Sequence, residues 1–316
     1  MPFHQMIPAH NQSTFPEFFL LGFQLLNRSR IIFFSILLLV YIMTLTGNLL
    51  IIILVSATQY LRSPMYFFLS QLSSCDIILT TSVSPTLLHI TLNNGIPMSV
   101  SQCIAQFNFF SFPSGTECFL LTIMSYDRYV AVCKPLHYVT IMNFPFCLSL
   151  VVLSWILGFL LTLIFVILLS NLTFCNSKYI DNFFCDIVPL VQLSCSDTTV
   201  VRTVIFWIAG PETVIETVFI ISTYVCIFLA IHRISTTTGR QKAFSTCSSH
   251  LSVVCMYYGT LIAIYVFPSG EHSFGMSKIV SFMYTVVTPL LNPVIYSLRN
   301  QEIKTAILKV MKNKCG

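Results

Sequence analysis

Charged side chains are scarce in this sequence, and the few that interrupt its apolar stretches are where chemistry could occur. Asp127 and Arg128 close an apolar run at 118–126. Adjacent opposite charges there can pair in a partly dry setting, while the long arginine stem reaches toward water. Asp76 and Glu117 sit near the middles of the apolar stretches at 64–89 and 103–126, the second being the one that Asp127 and Arg128 close. Two buried acids ionise together only with a cation or a shared proton between them. Glu212 and Glu216 are spaced i,i+4 among Phe206, Trp207, Ile208, Val214 and Val218, so on a helix they share one face. None of these sets is catalytic. His89, His137, His232, His250 and His272 are scattered, and no phosphate loop, metal-ligand spacing or nucleophile–base arrangement occurs. Ion pairing, cation sharing and hydrogen bonding are the expected chemistry, and an enzyme is not.

The elements that hold these groups follow from the composition. Only 9% of residues are charged and 55% are hydrophobic, where soluble domains carry about a quarter charged residues. A membrane-crossing helix needs about 20 apolar residues. Runs of that length lie at roughly 31–55, 64–89, 103–126, 144–170, 201–231, 244–267 and 276–298. They lack the alternation of barrel strands, so helices remain as the way to satisfy the backbone in lipid. The expected fold is an all-α membrane protein, a bundle of seven transmembrane helices. The expected division is an outer segment at 1–30, a membrane domain at 31–298 and an inner tail at 299–316. The two halves show no repeat, which disfavours repeat-built transporters, and no continuous polar path or broken half-helix marks a channel.

Lysine and arginine set the orientation. With the N-terminus outside, the inner side holds Arg62, Arg128, Lys134, Arg233, Arg240, Lys242, Arg299, Lys304, Lys309, Lys312 and Lys314, and the outer side only Arg28, Arg30, Lys178, Arg202 and Lys278. The net charge of +5 is therefore an orientation signal and not a nucleic-acid footprint. No basic segment followed by a short apolar core suggests a cleaved signal peptide. The sequons at Asn11, Asn27 and Asn171 fall outside; Asn11 is far enough from the bilayer to be glycosylated, and Asn27 is too close to the first helix. Among the 12 cysteines, Cys103, Cys175, Cys185 and Cys195 lie on the oxidising side and allow three pairings. Pro293, inside the last run, frees a backbone carbonyl that needs a new donor. Asn292 and Asn48 are amides suited to hydrogen bonds between helices. A fixed kink and a moving hinge explain the proline equally well. Asp127 and Arg128, likewise, fit an interface anchor as well as a switch.

Several longer stretches now become informative: "FFLLGF" at 18–23, "SPMYFFLSQLSSCD" at 63–76, "MSYDRYVAVCKPLHY" at 124–138, "KAFSTCSSHL" at 242–251 and "PLLNPVIYSLRN" at 289–300. On these the chain resembles the rhodopsin-like G-protein-coupled receptors and, within them, the odorant receptors. The resemblance implies that Arg128, in Asp127-Arg128-Tyr129, contacts a G protein on activation. Tyr224, Asn292, Pro293 and Tyr296 would rearrange with it. Asp76 matches a sodium-binding acid, and Glu117 an acid common in odorant receptors. Cys103 with Cys185 and Cys175 with Cys195 match the family's disulfides, the first tethering a loop over the ligand pocket. Phe107, Phe110, Ser111, Ser114 and Gly115, with Leu261, Ile262 and Tyr265, match pocket positions, and Tyr258 stands where most rhodopsin-like receptors carry tryptophan.

A cavity of this kind, apolar with a few hydroxyls, suits small volatile molecules bound weakly. Phe110 replaces the acid of amine receptors, whereas Glu212 argues the other way. Glu212 and Glu216 either line the cavity and select polar or cationic odorants, or Glu216 meets a polar partner on a neighbouring helix. The implied partners are a heterotrimeric stimulatory, olfactory-type G protein that raises cyclic AMP, a receptor kinase and arrestin, and the lipid bilayer. No cofactor is expected. The implied location is the plasma membrane, multi-pass, in sensory cilia where the cell is an olfactory neuron. The inner tail reads as amphipathic, with Ile303, Ile307, Leu308 and Val310 against its lysines, and Cys315 is a palmitoylation candidate.

Overall fold

The structure is a computed structural model that describes residues 17–24, 27–175, 177–234, 236–266, 274–299 and 303–306. Helices dominate. The long ones among the described residues are α1 (Asn27–Ala57), α2 (Pro64–Asn93), α3 (Val100–Cys133), α4 (Phe144–Ser170), α5 (Thr199–His232), α6 (Thr237–Val266) and α7, whose successive segments are Phe274–Phe282, Met283–Val287 and Thr288–Arg299. α1, α2, α4, α5 and most of α7 are each long and apolar enough to cross a bilayer. α3 and α6 are as long, at 34 and 30 residues, or about 50 and 45 Å at 1.5 Å per residue. They are less apolar because α3 carries Glu117, Asp127 and Arg128 while α6 carries a run of Ser, Thr and basic residues.

Local chemistry sets several boundaries. Ser99 and Gln102 form a reciprocal capping box at the start of α3, with bonds of 3.0 and 3.2 Å. Asn143 caps α4 by accepting from the Phe146 amide at 3.0 Å. Two helices deviate from regular winding. α5 passes through a π-helical stretch at Ile205–Ala209 and α7 through another at Met283–Val287. Neither is visible in the apolar pattern of the sequence.

α3 is the central helix, packed against α2, α4 and α5. Its approach to α4 is close enough to require small residues. A Cβ on Gly158 would lie 3.0 Å from the Thr116 amide and 3.1 Å from the Phe112 carbonyl, and closer still to the Thr116 hydroxyl. Most outward side chains of α1, α4 and α5 are exposed and aliphatic or aromatic, including Leu39, Leu160, Trp207 and Ile215. Such a surface suits lipid and not water.

A three-stranded sheet covers one end of the bundle. β1 (Glu17–Leu20) lies in the middle, antiparallel to β2 (Ile96–Ser99) and parallel to β3 (Tyr179–Ile180). It buries Phe18 and Leu20 against Phe183, Phe184 and the turns of α2 and α3 nearest the sheet. Gly22 turns the chain away with φ +58, where a Cβ would collide with Ile90. Lys278 of α7 ties down the same end. It pairs with Asp181 at 2.5 Å and donates to the Gly22 carbonyl at 2.9 Å.

The α3–α4 contact gives a direct test. Gly158→Leu should lower the thermal midpoint of the purified protein, since forcing a side chain into a filled contact costs about 1–3 kcal/mol. Gly259→Leu, where an added Cβ meets nothing within 4 Å, should leave that midpoint nearly unchanged.

Candidate functional site

At the end of the bundle opposite the sheet, Asp127 is fully buried and Arg128 nearly so. Arg128 donates through Nε at 3.0 Å and through Nη2 to one oxygen of Asp127, Oδ2. The other oxygen, Oδ1, accepts from the Tyr138 hydroxyl at 2.8 Å. Tyr138 lies in the helical turn Tyr138–Ile141, after α3 ends. Burial first, and then the Asp127 carboxylate beside it, push its phenol well above the usual tyrosine range, so it stays a donor. The carboxylate is thus shared between an arginine and a tyrosine. Tyr129 stacks with Tyr126 and lies beneath the Lys134 ammonium at 5.9 Å. Tyr224 is drawn toward α6, where its hydroxyl meets His250 Nδ1 at 2.7 Å. The Tyr296 hydroxyl is buried with no hydrogen-bond partner among the described residues.

Midway along the bundle, Asp76 accepts two hydrogen bonds from the Asn292 amide, at 3.1 and 3.0 Å. Glu117 is the neighbouring acid of this carboxylate, and two buried acids side by side need a shared proton or a cation. The proline of α7 supplies the scaffold. Pro293 cannot donate to the carbonyl of Pro289, and Asn48 of α1 donates to it instead at 3.0 Å. Asn48 Oδ1, Thr80 Oγ1, Glu117 Oε1 and Asn292 Oδ1 are buried oxygens without hydrogen-bond partners among the described residues.

Nearer the sheet, Phe107 and Phe110 are buried, and the Phe110 ring lies 4.9 Å from Phe184 and 5.7 Å from Tyr284. Ser111 is half-buried on the same helix. Ser114 is engaged by Tyr257, whose hydroxyl donates to its carbonyl at 2.9 Å and lies 3.3 Å from its Oγ. Gly115 is turned elsewhere: a Cβ there would meet Gly158 of α4 at 3.7 Å. Tyr258 donates to Glu216 Oε2 at 3.2 Å, while Glu212 is half-buried one turn away. Of the two alternatives for the acid pair, Glu216 has found a partner on a neighbouring helix. The side chains of Leu261, Ile262 and Tyr265 lie outside the described residues, as does Asn11.

The loop beneath the sheet is stapled twice. Cys103 joins Cys185 and Cys175 joins Cys195, with Cα separations of 5.4 and 5.8 Å. Gln106 locks the first staple in place. Its Oε1 accepts from the Cys185 amide at 3.0 Å, and its Nε2 donates to Ser82 and Thr86 of α2. Sequence reasoning passed over Gln106, Tyr138 and Tyr257. Gln106 and Tyr257 are polar side chains in apolar runs, a sign of a hydrogen-bonding role between helices. Tyr138 carries no such signal, because it falls in a loop.

The Asp76 cluster yields a stability prediction. Asn292→Ala removes the one amide group that donates to both oxygens of a buried carboxyl and should cost about 1.5–3 kcal/mol, the range for hydrogen bonds to charged groups. Thermal unfolding in detergent would show it, and a shift no larger than that of a surface alanine substitution would refute it.

Known proteins place this architecture. A family model described as "Olfactory receptor" matches residues 37–314. The chain is 47% identical to Olfactory receptor 11L1 of Homo sapiens over 97% of its own length and 95% of that protein's. It is 43% identical to Olfactory receptor 1468 of Rattus norvegicus and to Olfactory receptor 1J1 of Mus musculus, in each case over 96% of this chain and 97% of the relative. A helical membrane bundle matched along nearly its whole length in this way belongs to the olfactory receptor family.

Proposed function

We propose that this chain, a membrane receptor and not an enzyme, binds a small volatile ligand beneath the sheet and signals through a stimulatory, olfactory-type G protein. The supporting observation is the Asp127–Arg128–Tyr138 arrangement. A cation that could reach a partner is held back at one end of the bundle, while the pocket positions lie toward the other. Ligand binding is read as favouring an arrangement in which α6 moves away and Arg128 becomes available to the G protein. A ligand drives such a shift only through its preference for one arrangement over the other. Tyr224 and Tyr296 are the side chains that would follow, since the first is held by His250 and the second by no hydrogen bond among the described residues. The N-terminus and residues 1–30 are placed outside the cell, 31–298 in the membrane and 299–316 in the cytoplasm. Residues 303–306 form a helical turn with Ile303 and Ala306 buried and Lys304 exposed, which suits an amphipathic start to that tail.

Ligand contacts are assigned to Phe107, Phe110, Ser111, Ser114, Tyr258 and Glu212, and to Leu261, Ile262 and Tyr265 by position. Gly115 is assigned to helix packing on the strength of its approach to Gly158. Glycosylation is assigned to Asn11. Sensory cilia are the proposed destination in olfactory neurons, and a receptor kinase and arrestin are proposed for shut-off.

A sodium ion fits the middle cluster by donor chemistry. Two carboxyls supply charge, and the unpartnered oxygens of Asn48, Thr80 and Asn292 are hard donors of the kind such cations prefer. When bound, sodium would supply the positive charge that lets Asp76 and Glu117 ionise side by side.

Two measurements test these assignments. Cyclic AMP should rise when cells carrying the chain and an olfactory-type G protein meet an activating volatile, and Arg128→Ala at equal surface expression should abolish the rise. A retained response in that variant would refute the switch. Replacing sodium with a large organic cation should change basal cyclic AMP in the native receptor and not in Asp76→Asn. Equal behaviour of the two would remove sodium from the site.

A further inference from the structure

Pro85 lies inside α2 and Pro113 inside α3. A proline has no amide, so the carbonyl four residues earlier loses its helical donor. The carbonyls concerned are those of Thr81 and Phe109. In α7 the same defect is answered within the protein, where Asn48 donates to the Pro289 carbonyl. No side chain among the described residues donates to the carbonyl of Thr81 or of Phe109. A backbone acceptor left bare in hydrocarbon is costly.

Thr81 and Phe109 line one groove. It runs between α2 and α3, has a volume of about 850 Å³, and is bordered at the sheet end by Ile96, Pro97 and Met98 of β2. Its walls carry Phe109, 59% exposed, together with exposed Thr81, Pro85 and His89, so it opens to the lipid around the bundle and not to the interior. From Ile77 to His89 it follows α2 for about 18 Å at 1.5 Å per residue. That is a little over half of a hydrocarbon core about 30 Å thick. The groove is graded along this length. Ile77 and Ile78 lie at the mid-bundle end, with Thr81, His89 and Gln102 nearer the sheet. No Asp, Glu, Lys or Arg lines it. Gln106 connects it to the stapled loop, since Nε2 donates to Ser82 and Thr86 on the groove wall while Oε1 holds the Cys185 amide.

We propose that this groove is a lipid site and that its occupant is a monoacylglycerol from the leaflet at the sheet end. Two acceptors without amide donors call for two donors, and a monoacylglycerol carries two free hydroxyls on a neutral head. A phospholipid would bring a charged phosphate to walls that hold no cationic side chain. A sterol has one hydroxyl, enough for only one of the two carbonyls. The single acyl chain then follows Ile77 and Ile78 toward the middle of the bilayer. The site is separate from the proposed ligand positions Phe107 and Phe110, which are buried on the interior side of α3, and it does not depend on the odorant reading.

The test is photolabelling of the full-length receptor in nanodiscs containing a monoacylglycerol with a diazirine on its acyl chain. Mass spectrometry should place the label on α2 and α3 within 77–109. Excess monoolein should compete it away, and methyl oleate, with the same chain and no hydroxyl, should not. Pro85→Ala returns an amide to the Thr81 carbonyl and should raise the probe concentration for half-saturation by about threefold to tenfold, the worth of one hydrogen bond. Thr81→Trp fills the groove from an exposed position and should abolish labelling there, an independent check should loss of the proline straighten α2. The proposal is overturned by label found on α1 and α4 instead, by equal competition from methyl oleate or cholesterol, or by unchanged labelling in both folded variants.

Discussion

A backbone in lipid has no water to complete its hydrogen bonds, and the central features of this receptor follow from that constraint. Helices satisfy it along most of the chain, so the informative places are where helices alone fall short. Pro293 removes a donor from α7, and the orphaned carbonyl of Pro289 recruits Asn48 from α1. The recruitment fixes the distance between the two helices and leaves no room for a larger residue at Gly47, whose Cβ would lie 3.1 Å from the proline ring. One residue before that proline, Asn292 donates to Asp76 of α2, so one short stretch of α7 ties α1 and α2 together around the buried acids.

The same accounting separates the charged side chains into two kinds. Asp127 is fully partnered, by Arg128 and Tyr138, and stands as a closed unit. Glu117 and Glu216 each keep a buried oxygen without a hydrogen-bond partner among the described residues. Closed units hold an arrangement in place, whereas open acceptors invite something from outside the chain. The receptor therefore carries its closed ion pair at one end and its buried acids in the middle, with the sheet as cover at the other end.

Much of this was legible in the sequence, for reasons that also explain the remainder. The apolar runs matched five of the helices to within about four residues, because length and hydropathy are set by the bilayer and not by the neighbours. α6 begins seven residues before its run, in the polar stretch from Thr237. α4 matches its run at 144–170. α3 extends seven residues beyond its run, because the paired Asp127 and Arg128 interrupt the apolar pattern for only two residues before Tyr129-Val130-Ala131-Val132-Cys133 resumes it. The π-helical stretches in α5 and α7 left no periodic mark, because one extra residue per turn does not alter which residues are apolar. The central strand was invisible for another reason. "EFFL" is too short to announce a strand, and its partners lie far along the chain. Tyr138 was missed because loop residues are read by their local turn chemistry, and its partner belongs to a different element.

The order of the sheet has a consequence for assembly. β1 comes first in the chain yet occupies the middle of the sheet, between β2 and β3. During synthesis it must wait with one edge unpaired until α4 has been made and the loop after it supplies Tyr179 and Ile180. The last tie, from Lys278 to Gly22 and Asp181, arrives only with α7. The cover is thus the final part of the molecule to close, and it closes over a bundle already built. A defect in the seventh helix would be felt at the opposite end of the sequence, as an unfastened first strand.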